Sequence, residues 1–386
     1  MSRRTQIRVE ALFPNFFREA SGVSYTLKSV LEGMRNETLA VGATVIAKER
    51  HVTLPQVRGI MPRQAARFVW PRLSDPLHWV FRSARRRLGE GDVAYFWLES
   101  PAALSAYFRE RKIMVVREMI NCALGPKRVE LRKAYSQLGW PDGSGITDEM
   151  IETERTDLLA VDAVVCPNPF VRQTVMSYGV APERCIDASY GWGAQRLVQG
   201  GSVARRADTF TVAFVGTLDV RKGAPLLLEA WAASGIRGRL LLAGKIAADV
   251  GEKYASILAR PDVVSLGHVE DIGSVYRAAD VFCFPTWEEG GPQVTLEAMA
   301  AGVVPVVTPM GTAGAFDTAD DMAIIVPPGD VEALGGALRS LAGDADRLRY
   351  LKQRIQLRAA DYHWDRVGER RRGALLKHRR AWLDAR

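Results

Sequence analysis

The most informative segment of the chain is Phe284–Gly302, which reads FPTWEEGGPQVTLEAMAAG. It predicts a buried strand that ends at Phe284, a loop with two glycines, and a helix that begins near Gln293. The first turn of such a helix carries backbone N–H groups without partners inside the helix, and the helix dipole favours an anion there. The segment therefore predicts a strand–loop–helix unit with an anion site at the helix N-terminus.

Two carboxylates flank this predicted anion site, Glu289 in the loop and Glu297 early in the helix. A carboxylate beside a phosphate is favourable only where it faces a neutral polyol, such as a sugar or a ribose. Gly290 and Gly291 let the backbone approach a ligand closely. The alternative is an ordinary helix N-terminus, where the dipole favours acidic residues without any ligand.

Short apolar runs alternate with amphipathic stretches along the chain, which is typical of βαβ units and a parallel sheet. The predicted strands are Ile7–Phe13, Val93–Trp97, Ile113–Val116, Ala163–Cys166, Thr211–Val215, Arg239–Ala243, Val263–Leu266, Val281–Phe284, Val303–Thr308 and Ala323–Val326. The predicted helices cover about 22–34, 101–111, 126–138, 147–160, 168–178, 224–233, 270–278 and 293–301, and almost everything from Asp330 onward.

A polar, glycine-rich stretch at 190–208 interrupts this alternation and is typical of an interdomain linker. The fold class is therefore α/β, with two doubly wound parallel-sheet domains in tandem. Such domains predict an interdomain cleft and ligand binding at the carboxyl ends of the strands.

Composition sets the broad class of the protein. The 386 residues are 47% hydrophobic and 25% charged, as in soluble globular proteins. No window approaches the roughly 18 apolar residues of a membrane span, and four scattered cysteines favour a reducing, cytoplasmic compartment.

The net charge of +8 resides mainly in residues 1–200 and 366–386. This asymmetry favours an anionic partner such as a membrane surface, or is simply a solubilising surface.

The chain is similar to the retaining glycosyltransferases of family 4, the group 1 glycosyl transferases. The resemblance rests on the Glu289–Glu297 spacing within Phe284–Gly302 and on FVGTLDVRKGAPLLLEAW at Phe214–Trp231. It continues in LGHVED at 266–271, YRAADV at 276–281, AVVCPNPFV at 163–171 and VPPGD at 326–330, and it is weak before residue 150.

The resemblance implies a GT-B fold of two Rossmann-like domains. Residues 1–195 would form an N-terminal acceptor domain, and residues 209–362 a C-terminal domain for the nucleotide-sugar donor. Residues 363–386 would form a last helix that crosses back to the N-terminal domain.

The resemblance also implies roles for residues of the donor site. Glu297 would hold the ribose hydroxyls, and Glu289 would face the transferred sugar together with the backbone of Gly290 and Gly291. Lys222 would meet the diphosphate, because a lysine is a mobile point charge suited to phosphate. Glu289 and Lys222 are thus the predicted catalytic residues.

Three further donor-side candidates are Thr217, Arg221 and Thr295. The family usually has arginine where this chain has Thr217, so one diphosphate cation is missing there. Arg221 either compensates for that loss or is a solvated loop charge. Thr295 either offers its hydroxyl to phosphate or caps the helix locally.

Candidates in the N-terminal half are fewer. Gly22 partly matches the family's Gly-rich loop near the donor, or it simply caps a helix. Glu118 and Asn121 follow the strand Ile113–Val116, near where many relatives carry a histidine that this chain lacks. They either contact the acceptor or sugar, or they belong to a polar loop.

A basic amphipathic segment at Asp75–Leu88 has one apolar helical face beside several arginines. This pattern is typical of a helix lying on an anionic leaflet, or of a core helix with a solvated basic side.

The sequence gives no indication of a metal site. The five histidines are dispersed, Asp344 and Asp346 are typical of a helix N-cap, and Asp320–Asp321 of a loop.

These observations predict a metal-independent, retaining glycosyltransferase with no cofactor beyond its nucleotide-sugar substrate. Its acceptor would be a glycan, a glycolipid or a polysaccharide precursor, and the protein would be cytoplasmic, in possible contact with the inner membrane face. The alternatives are a transferase for a small soluble acceptor such as a sugar phosphate, and a nucleotide-sugar-binding subunit without catalysis. No aromatic-rich module for nucleic acid is present.

Overall fold

The structure is a computed structural model, which describes residues 6–18, 22–49, 52, 54–72, 74–198, 201, 203–315 and 323–386. The strands are β1 (Ile7–Phe17), β2 (Leu39–Lys48), β3 (Val57–Gly59), β4 (Val93–Trp97), β5 (Met114–Glu118), β6 (Ala163–Cys166), β7 (Cys185–Asp187), β8 (Phe210–Val215), β9 (Gly238–Ala243), β10 (Val263–Gly267), β11 (Val281–Phe284), β12 (Val304–Val307) and β13 (Ile324–Ile325). The helices are α1 (Gly22–Met34), α2 (Arg63–Val69), α3 (Pro76–Ala84), α4 (Ala102–Glu110), α5 (Leu124–Gln137), α6 (Asp148–Ala160), α7 (Pro169–Met176), α8 (Ala224–Ser234), α9 (Ala248–Lys253), α10 (Ala255–Leu258), α11 (Ile272–Ala278), α12 (Gln293–Ala300), α13 (Val331–Gly343), α14 (Ala345–Ala359) and α15 (Trp364–Asp384).

The strands form two parallel sheets, ordered β3-β2-β1-β4-β5-β6-β7 and β10-β9-β8-β11-β12-β13 in the described ranges. In each sheet the order reverses beside one strand, so that β1 lies between β2 and β4, and β8 lies between β9 and β11. The predicted α/β fold with two doubly wound sheets is confirmed. Crevices for ligands form at the carboxyl ends of the strands where the order reverses.

The described residues divide into two compact units. The first comprises those within Met1–Ala123, Thr147–Ala188 and Trp364–Arg386, and the second those within Leu124–Ile146 and Ser189–His363.

Helix α5 and the loop after it lie in a different unit from the one predicted, since the sequence-based boundary assigns them to the N-terminal domain. They belong to the second unit, because Ala134 is part of that unit's hydrophobic core. Gln137 Nε2 also donates a hydrogen bond to the carbonyl oxygen of Gly329 at 2.6 Å. Such contacts join residues far apart in sequence, so the local pattern of α5 does not reveal them.

Strand β2 was missed from the sequence, although its ten residues read LAVGATVIAK. It pairs with β1 along nearly the whole of both strands, from Ile7 opposite Leu39 to Phe17 opposite Lys48. A continuous apolar run of this kind is typical of a strand buried on both faces. The short strands β3 and β7 were also missed, and β1 extends four residues beyond its predicted end.

The apolar face of the basic segment Asp75–Leu88 belongs to the core. In α3 the buried residues are Leu77, Val80, Phe81 and Ala84, and the helix packs on β1 and β2. The interpretation of this face as a membrane-binding surface is therefore wrong, because its apolar side chains are already covered by the sheet. No helix in the described ranges is long and apolar enough to cross a bilayer.

The N-cap predicted at Asp344 is confirmed, since Asp344 Oδ1 accepts the backbone N–H of Arg347 at 2.8 Å at the start of α14. Asp320 and Asp321 lie outside the described residues.

Candidate active site

The candidate site lies in the second unit, where the strand order reverses at β8 and β11. The loop 216–223 follows β8 and leads into α8, and the loop 285–292 follows β11 and leads into α12. The two loops are joined by hydrogen bonds to the carbonyl oxygen of Arg221, from the backbone N–H of Trp287 at 2.8 Å and from Thr286 Oγ1 at 3.0 Å. The sheet topology thus brings together two segments about 60 residues apart, as the fold predicts.

Gly223 allows these loops to approach each other. It is the N-cap of α8 in the left-handed conformation, with φ of 72°. A Cβ atom on Gly223 would lie 1.9 Å from the carbonyl oxygen of Pro285. Both the backbone conformation and the close approach therefore require glycine.

We expect Gly223→Ala to destabilise the protein by about 2–5 kcal/mol, as the sum of left-handed strain and overpacking. Gly235→Ala is a matched control, because Gly235 caps the other end of the same helix with φ of 66° and has no atom within 4 Å of its would-be Cβ. This control should cost only about 1–2 kcal/mol. Equal shifts of the urea unfolding midpoint in the two variants would contradict the steric argument.

Basic side chains of the first loop contact acidic side chains of the second loop. Arg221 Nη1 donates to Glu289 Oε1 and to the carbonyl oxygen of Glu288, both at 2.9 Å. The Glu288 carboxylate is fully buried, and its Oε2 lies 3.4 Å from Lys127 Nζ, on α5. Burial lowers the pKa of Arg221, but Glu289 and Glu288 outweigh it, so the pKa is raised overall. Arg221 is thus a structural cation that holds Glu289 in place, and not a solvated loop charge.

Lys222 lies beside the same carboxylate. Its Nζ is 3.8 Å from Glu289 Oε1 and 5.8 Å from the centre of the Phe284 ring, and its side chain is 19% exposed. The aliphatic stem passes close to Gly216, where a Cβ would lie 3.3 Å from Lys222 Cδ. The ammonium group therefore lies at the carboxyl ends of β8 and β11, beside the loop that leads into α12. Thr217, in the same loop, is exposed.

Glu297 is buried in α12, with 1% of its surface exposed. Its Oε1 accepts Arg196 Nε at 2.5 Å, and its Oε2 accepts Tyr276 Oη at 3.1 Å. Burial raises the pKa of this carboxyl, while the contacts with Arg196 and Tyr276 act against the rise. Both carboxylate oxygens thus have partners, and a ribose would have to replace one of them to reach Glu297.

The raised pKa of Glu297 predicts how stability depends on pH. The folded state holds the proton to higher pH than the unfolded chain, so the contribution of Glu297 is fully present below its usual pKa of 4.5 and is lost as pH rises through the folded pKa. We expect the unfolding free energy of wild type minus that of Glu297→Gln to fall with rising pH in this window. The slope can reach about 1.4 kcal/mol per pH unit. Urea unfolding from pH 4 upward measures it, and a difference independent of pH would contradict the assignment.

The remaining predicted donor residues have different surroundings. Gly290 is buried and Gly291 half-buried in the loop before α12. Thr295 is fully buried and donates its hydroxyl to the carbonyl oxygen of Gly311 at 2.8 Å. The hydroxyl of Thr295 therefore neither faces a phosphate nor caps its own helix, and both interpretations of it are wrong. Its role is to hold α12 against the segment after β12.

The first unit holds the other three candidates. Glu118 ends β5 with 1% exposure, and its carboxylate accepts two hydrogen bonds from Arg371 on α15 at 3.0 and 3.1 Å. Tyr95 donates a further hydrogen bond to it, and burial, followed by Glu118, raises the pKa of Tyr95. Glu118 is therefore an enclosed structural anion, and its prediction as an acceptor contact is wrong.

Gly22 begins α1, is exposed, and has no atom within 4 Å of its would-be Cβ. Residues 19–21, which precede Gly22, lie outside the described residues. Asn121 is half-buried in the bend after β5. Their predicted contacts with sugar or acceptor stay predictions.

The sequence interpretation missed Lys127, Arg196 and Tyr276 as members of the donor-side cluster. Arg196 lies in the stretch that was interpreted as a linker, and Lys127 on a helix assigned to the other domain. Tyr276 belongs to a segment that carries the family resemblance, so only this residue had a detectable signal. Within the described ranges, no group of three or more His, Cys, Asp or Glu side chains has the proximity needed to hold a metal ion.

Comparison with known sequences supports the resemblance in the second unit. Residues 209–344 match the family Glycosyl transferases group 1. The Staphylococcus aureus capsular polysaccharide biosynthesis glycosyltransferase CapM is 33% identical over 145 residues, which cover 36% of this chain and 38% of CapM. The D-inositol 3-phosphate glycosyltransferase of Rhodococcus erythropolis is 27% identical over 231 residues, covering 53% of this chain and 50% of that relative. The chain thus spans half or less of the length of these two relatives. The corresponding protein of Geodermatophilus obscurus is 27% identical over 357 residues, covering 85% of this chain and 74% of its own length.

Solved structures show the same fold. Anabaena HepE, in complex with UDP and glucose, has a TM-score of 0.71 at 15% identity, over 96% of this chain and 100% of HepE. WaaG, a glycosyltransferase involved in lipopolysaccharide biosynthesis, has a TM-score of 0.70 at 14% identity, over 96% of this chain and 99% of WaaG. At these identities the similarity establishes the fold. Residues 209–344 are thus similar to the Glycosyl transferases group 1 family, and the two parallel sheets of the chain have the GT-B fold of the solved structures.

Proposed function

We propose that the protein is a glycosyltransferase that binds a nucleotide-sugar donor at the carboxyl ends of β8 and β11. The observation that carries this proposal is the convergence of Lys222 and Glu289, in the loop that leads into α12, at the reversal point of the second sheet and within the segment that matches the family. This arrangement combines positive charge for a diphosphate with a carboxylate for sugar hydroxyls. HepE, which has the same fold, was solved with UDP and glucose.

In this proposal Lys222 and the first amides of α12 bind the diphosphate, and Glu289 with the backbone of Gly290 and Gly291 faces the sugar. Arg221 positions Glu289 through the 2.9 Å hydrogen bond. Glu297 binds the ribose hydroxyls after they replace Arg196 at its Oε1. The exchange is feasible because the Arg196 side chain is 30% exposed and can return to water.

The proposed reaction retains the configuration of the sugar. The acceptor hydroxyl attacks the anomeric carbon on the face from which the diphosphate leaves, the bond from that carbon to the phosphate oxygen breaks, and the leaving phosphate takes the hydroxyl proton. Charge develops on the departing diphosphate, and a preorganised cation beside it lowers the barrier. Lys222 and the α12 N-terminus supply this positive charge, so we propose that the reaction needs no metal.

For the acceptor we propose a glycan, a glycolipid or a polysaccharide precursor, as the name of the relative CapM suggests. A small soluble acceptor such as a sugar phosphate is the second candidate. It is favoured by the relatives named D-inositol 3-phosphate glycosyltransferase, one of which aligns with 85% of this chain.

We propose that the protein is cytoplasmic and that the first unit contacts an anionic membrane face through exposed side chains of α2 and α3, outside the buried apolar face of α3. Phe68 is 71% exposed, Trp79 48% and Val69 41%. Exposed arginines such as Arg67 and Arg82 lie on the same two helices, α2 and α3. Aromatic and basic side chains together favour the interfacial region of a bilayer.

A thermal-shift panel of UDP-, GDP-, ADP- and TDP-sugars tests donor binding. A donor at 100 times its dissociation constant should stabilise wild type by roughly 2.7 kcal/mol. Glu297→Gln should lose most of this gain, whereas Glu332→Gln, an exposed carboxylate on α13, should keep it. No shift with any donor, or an equal shift in Glu297→Gln, would overturn the proposed site. Binding without turnover across glycan, lipid-linked and sugar-phosphate acceptors would instead indicate a nucleotide-sugar-binding subunit.

A further inference from the structure

A cavity lies in the first unit, on the sheet near the starts of β1, β2 and β3. Its volume is about 220 Å³, and its lining includes Arg8, Glu10, Arg35, Gly42, Gln56 and Arg58. In the parallel register Arg8 lies opposite Ala40, and Glu10 lies opposite Gly42. Alternate residues of a strand share one face, so Arg8 and Glu10 lie on the same side of the sheet.

The charges around this cavity are unbalanced. Glu10 Oε1 accepts Thr44 Oγ1 at 2.6 Å and Arg87 Nη1 at 3.0 Å, so its charge is compensated by Arg87. The neighbouring carboxylate of Asp92 accepts the backbone N–H groups of Arg8 and Gly89, both at 2.9 Å. Among the described residues, none forms an ion pair with the three arginines that line the cavity, Arg8, Arg35 and Arg58.

Three arginines in the lining of one concavity concentrate positive charge there, which favours an anionic ligand. Guanidinium is the cation best suited to phosphate, because its planar fork donates two parallel hydrogen bonds. The cavity is smaller than the roughly 300–1,000 Å³ of sites for drug-sized ligands. The charge and the size together indicate a small phosphorylated molecule.

Two features indicate that the ligand also carries hydroxyl groups. The second oxygen of Glu10, Oε2, lies next to Gly42, where a Cβ would be 3.2 Å from it and 3.1 Å from the carbonyl oxygen of Gln56. A side chain at position 42 would therefore crowd these two oxygens, of which the carbonyl oxygen of Gln56 also accepts the backbone N–H of Ala43 at 2.9 Å. We propose that the cavity binds a soluble phosphate ester of a sugar or polyol, with its phosphate on the arginines and a hydroxyl on Glu10 or Gln56.

This proposed site is separate from the candidate donor site, since it lies near the amino ends of the strands of the other sheet. Isothermal titration with glucose 6-phosphate, inorganic phosphate and glucose tests it. We expect wild type to bind glucose 6-phosphate more tightly than inorganic phosphate, and glucose not at all. Arg35→Ala and Arg58→Ala should each weaken binding at least about tenfold, because each removes a charge-assisted hydrogen bond.

Two control variants locate the binding. Arg237→Ala, an exposed arginine in the second unit, should bind as wild type does. Lys222→Ala should also bind as wild type does, because its ammonium group belongs to the donor site. Hydrogen exchange in the presence of glucose 6-phosphate should show protection within residues 54–60.

Three outcomes would overturn the proposal. They are an absence of binding at millimolar glucose 6-phosphate, full affinity in both Arg35→Ala and Arg58→Ala, and loss of binding in Lys222→Ala alone. Binding only to vesicles that contain phosphatidic acid would also overturn it, because the phosphate would then belong to a lipid headgroup. None of these readouts depends on sugar transfer, so this inference and the proposed function can fail separately.

Discussion

Lys222→Ala is expected to lower kcat/KM for sugar transfer by about 100- to 1,000-fold, the usual cost of removing one preorganised group that stabilises developing charge. The ammonium group lies 3.8 Å from Glu289 at the end of β8, where a diphosphate would depart. The loss should appear mainly in kcat, because the negative charge on the leaving group is larger in the transition state than in the bound donor. Steady-state kinetics with the donor identified by thermal shift measure it.

Two further variants make this result specific. Lys222→Arg keeps the positive charge in a different geometry and should recover part of the activity. Lys133→Ala removes an exposed lysine whose partner is Glu130 on the same helix, and it should leave kcat/KM unchanged. If Lys222→Ala raises KM with kcat unchanged, Lys222 contributes only to uniform donor binding, and its catalytic assignment is wrong.

Arg371→Ala is expected to destabilise the first unit by about 3–5 kcal/mol, the usual cost of breaking a buried ion pair. The two side chains of the pair are 2% and 0% exposed, and Arg371 also donates a hydrogen bond to the carbonyl oxygen of Ala188 at 2.6 Å. Removing the guanidinium leaves the Glu118 carboxylate buried beside the Tyr95 hydroxyl alone. Urea unfolding, followed by hydrogen exchange in β5 and α15, measures the loss.

The exposed pair of Arg349 and Asp346 provides the matched control. Its side chains are 68% and 90% exposed, so Arg349→Ala should change stability by at most about 1 kcal/mol. The double variant Glu118→Gln with Arg371→Met should be more stable than Arg371→Ala, because no uncompensated charge remains buried. If Arg371→Ala and Arg349→Ala have equal small effects, the ion pair does not hold α15 to the sheet.

Several elements could be predicted closely because their signals are local. Val93–Trp97, Ala163–Cys166 and Val281–Phe284 are strands with the predicted bounds, since each is a short apolar run between turn-forming residues. The loop and helix after Phe284 also follow from local chemistry, because two glycines and a proline end the strand and start α12. The segment 209–344, which matches the family model, contains this local motif.

Other features depend on partners far away in sequence. Glu118 resembles an exposed polar residue after a strand, but its partner Arg371 comes 253 residues later. Arg196 reaches Glu297 across 101 residues from a stretch whose composition is typical of a linker. The apolar face of α3 is compatible with a membrane or a core, and only its packing on β1 and β2 distinguishes them.

Local sequence patterns are sufficient to predict the α/β class, the order of most strands and helices, and the strand–loop–helix unit that carries Glu289 and Glu297. These properties follow from periodicity, turn chemistry and helix capping, which act over a few residues. Which charged side chains have partners inside the protein follows only from the three-dimensional arrangement of these elements. Glu118 and Thr295 form buried contacts, and Arg221 holds Glu289 in place. The arginines that line the cavity of the first unit come from separate elements of the chain. The reason is physical: a charge acquires its role from the dielectric and the partners around it, and the fold brings these together from distant parts of the chain.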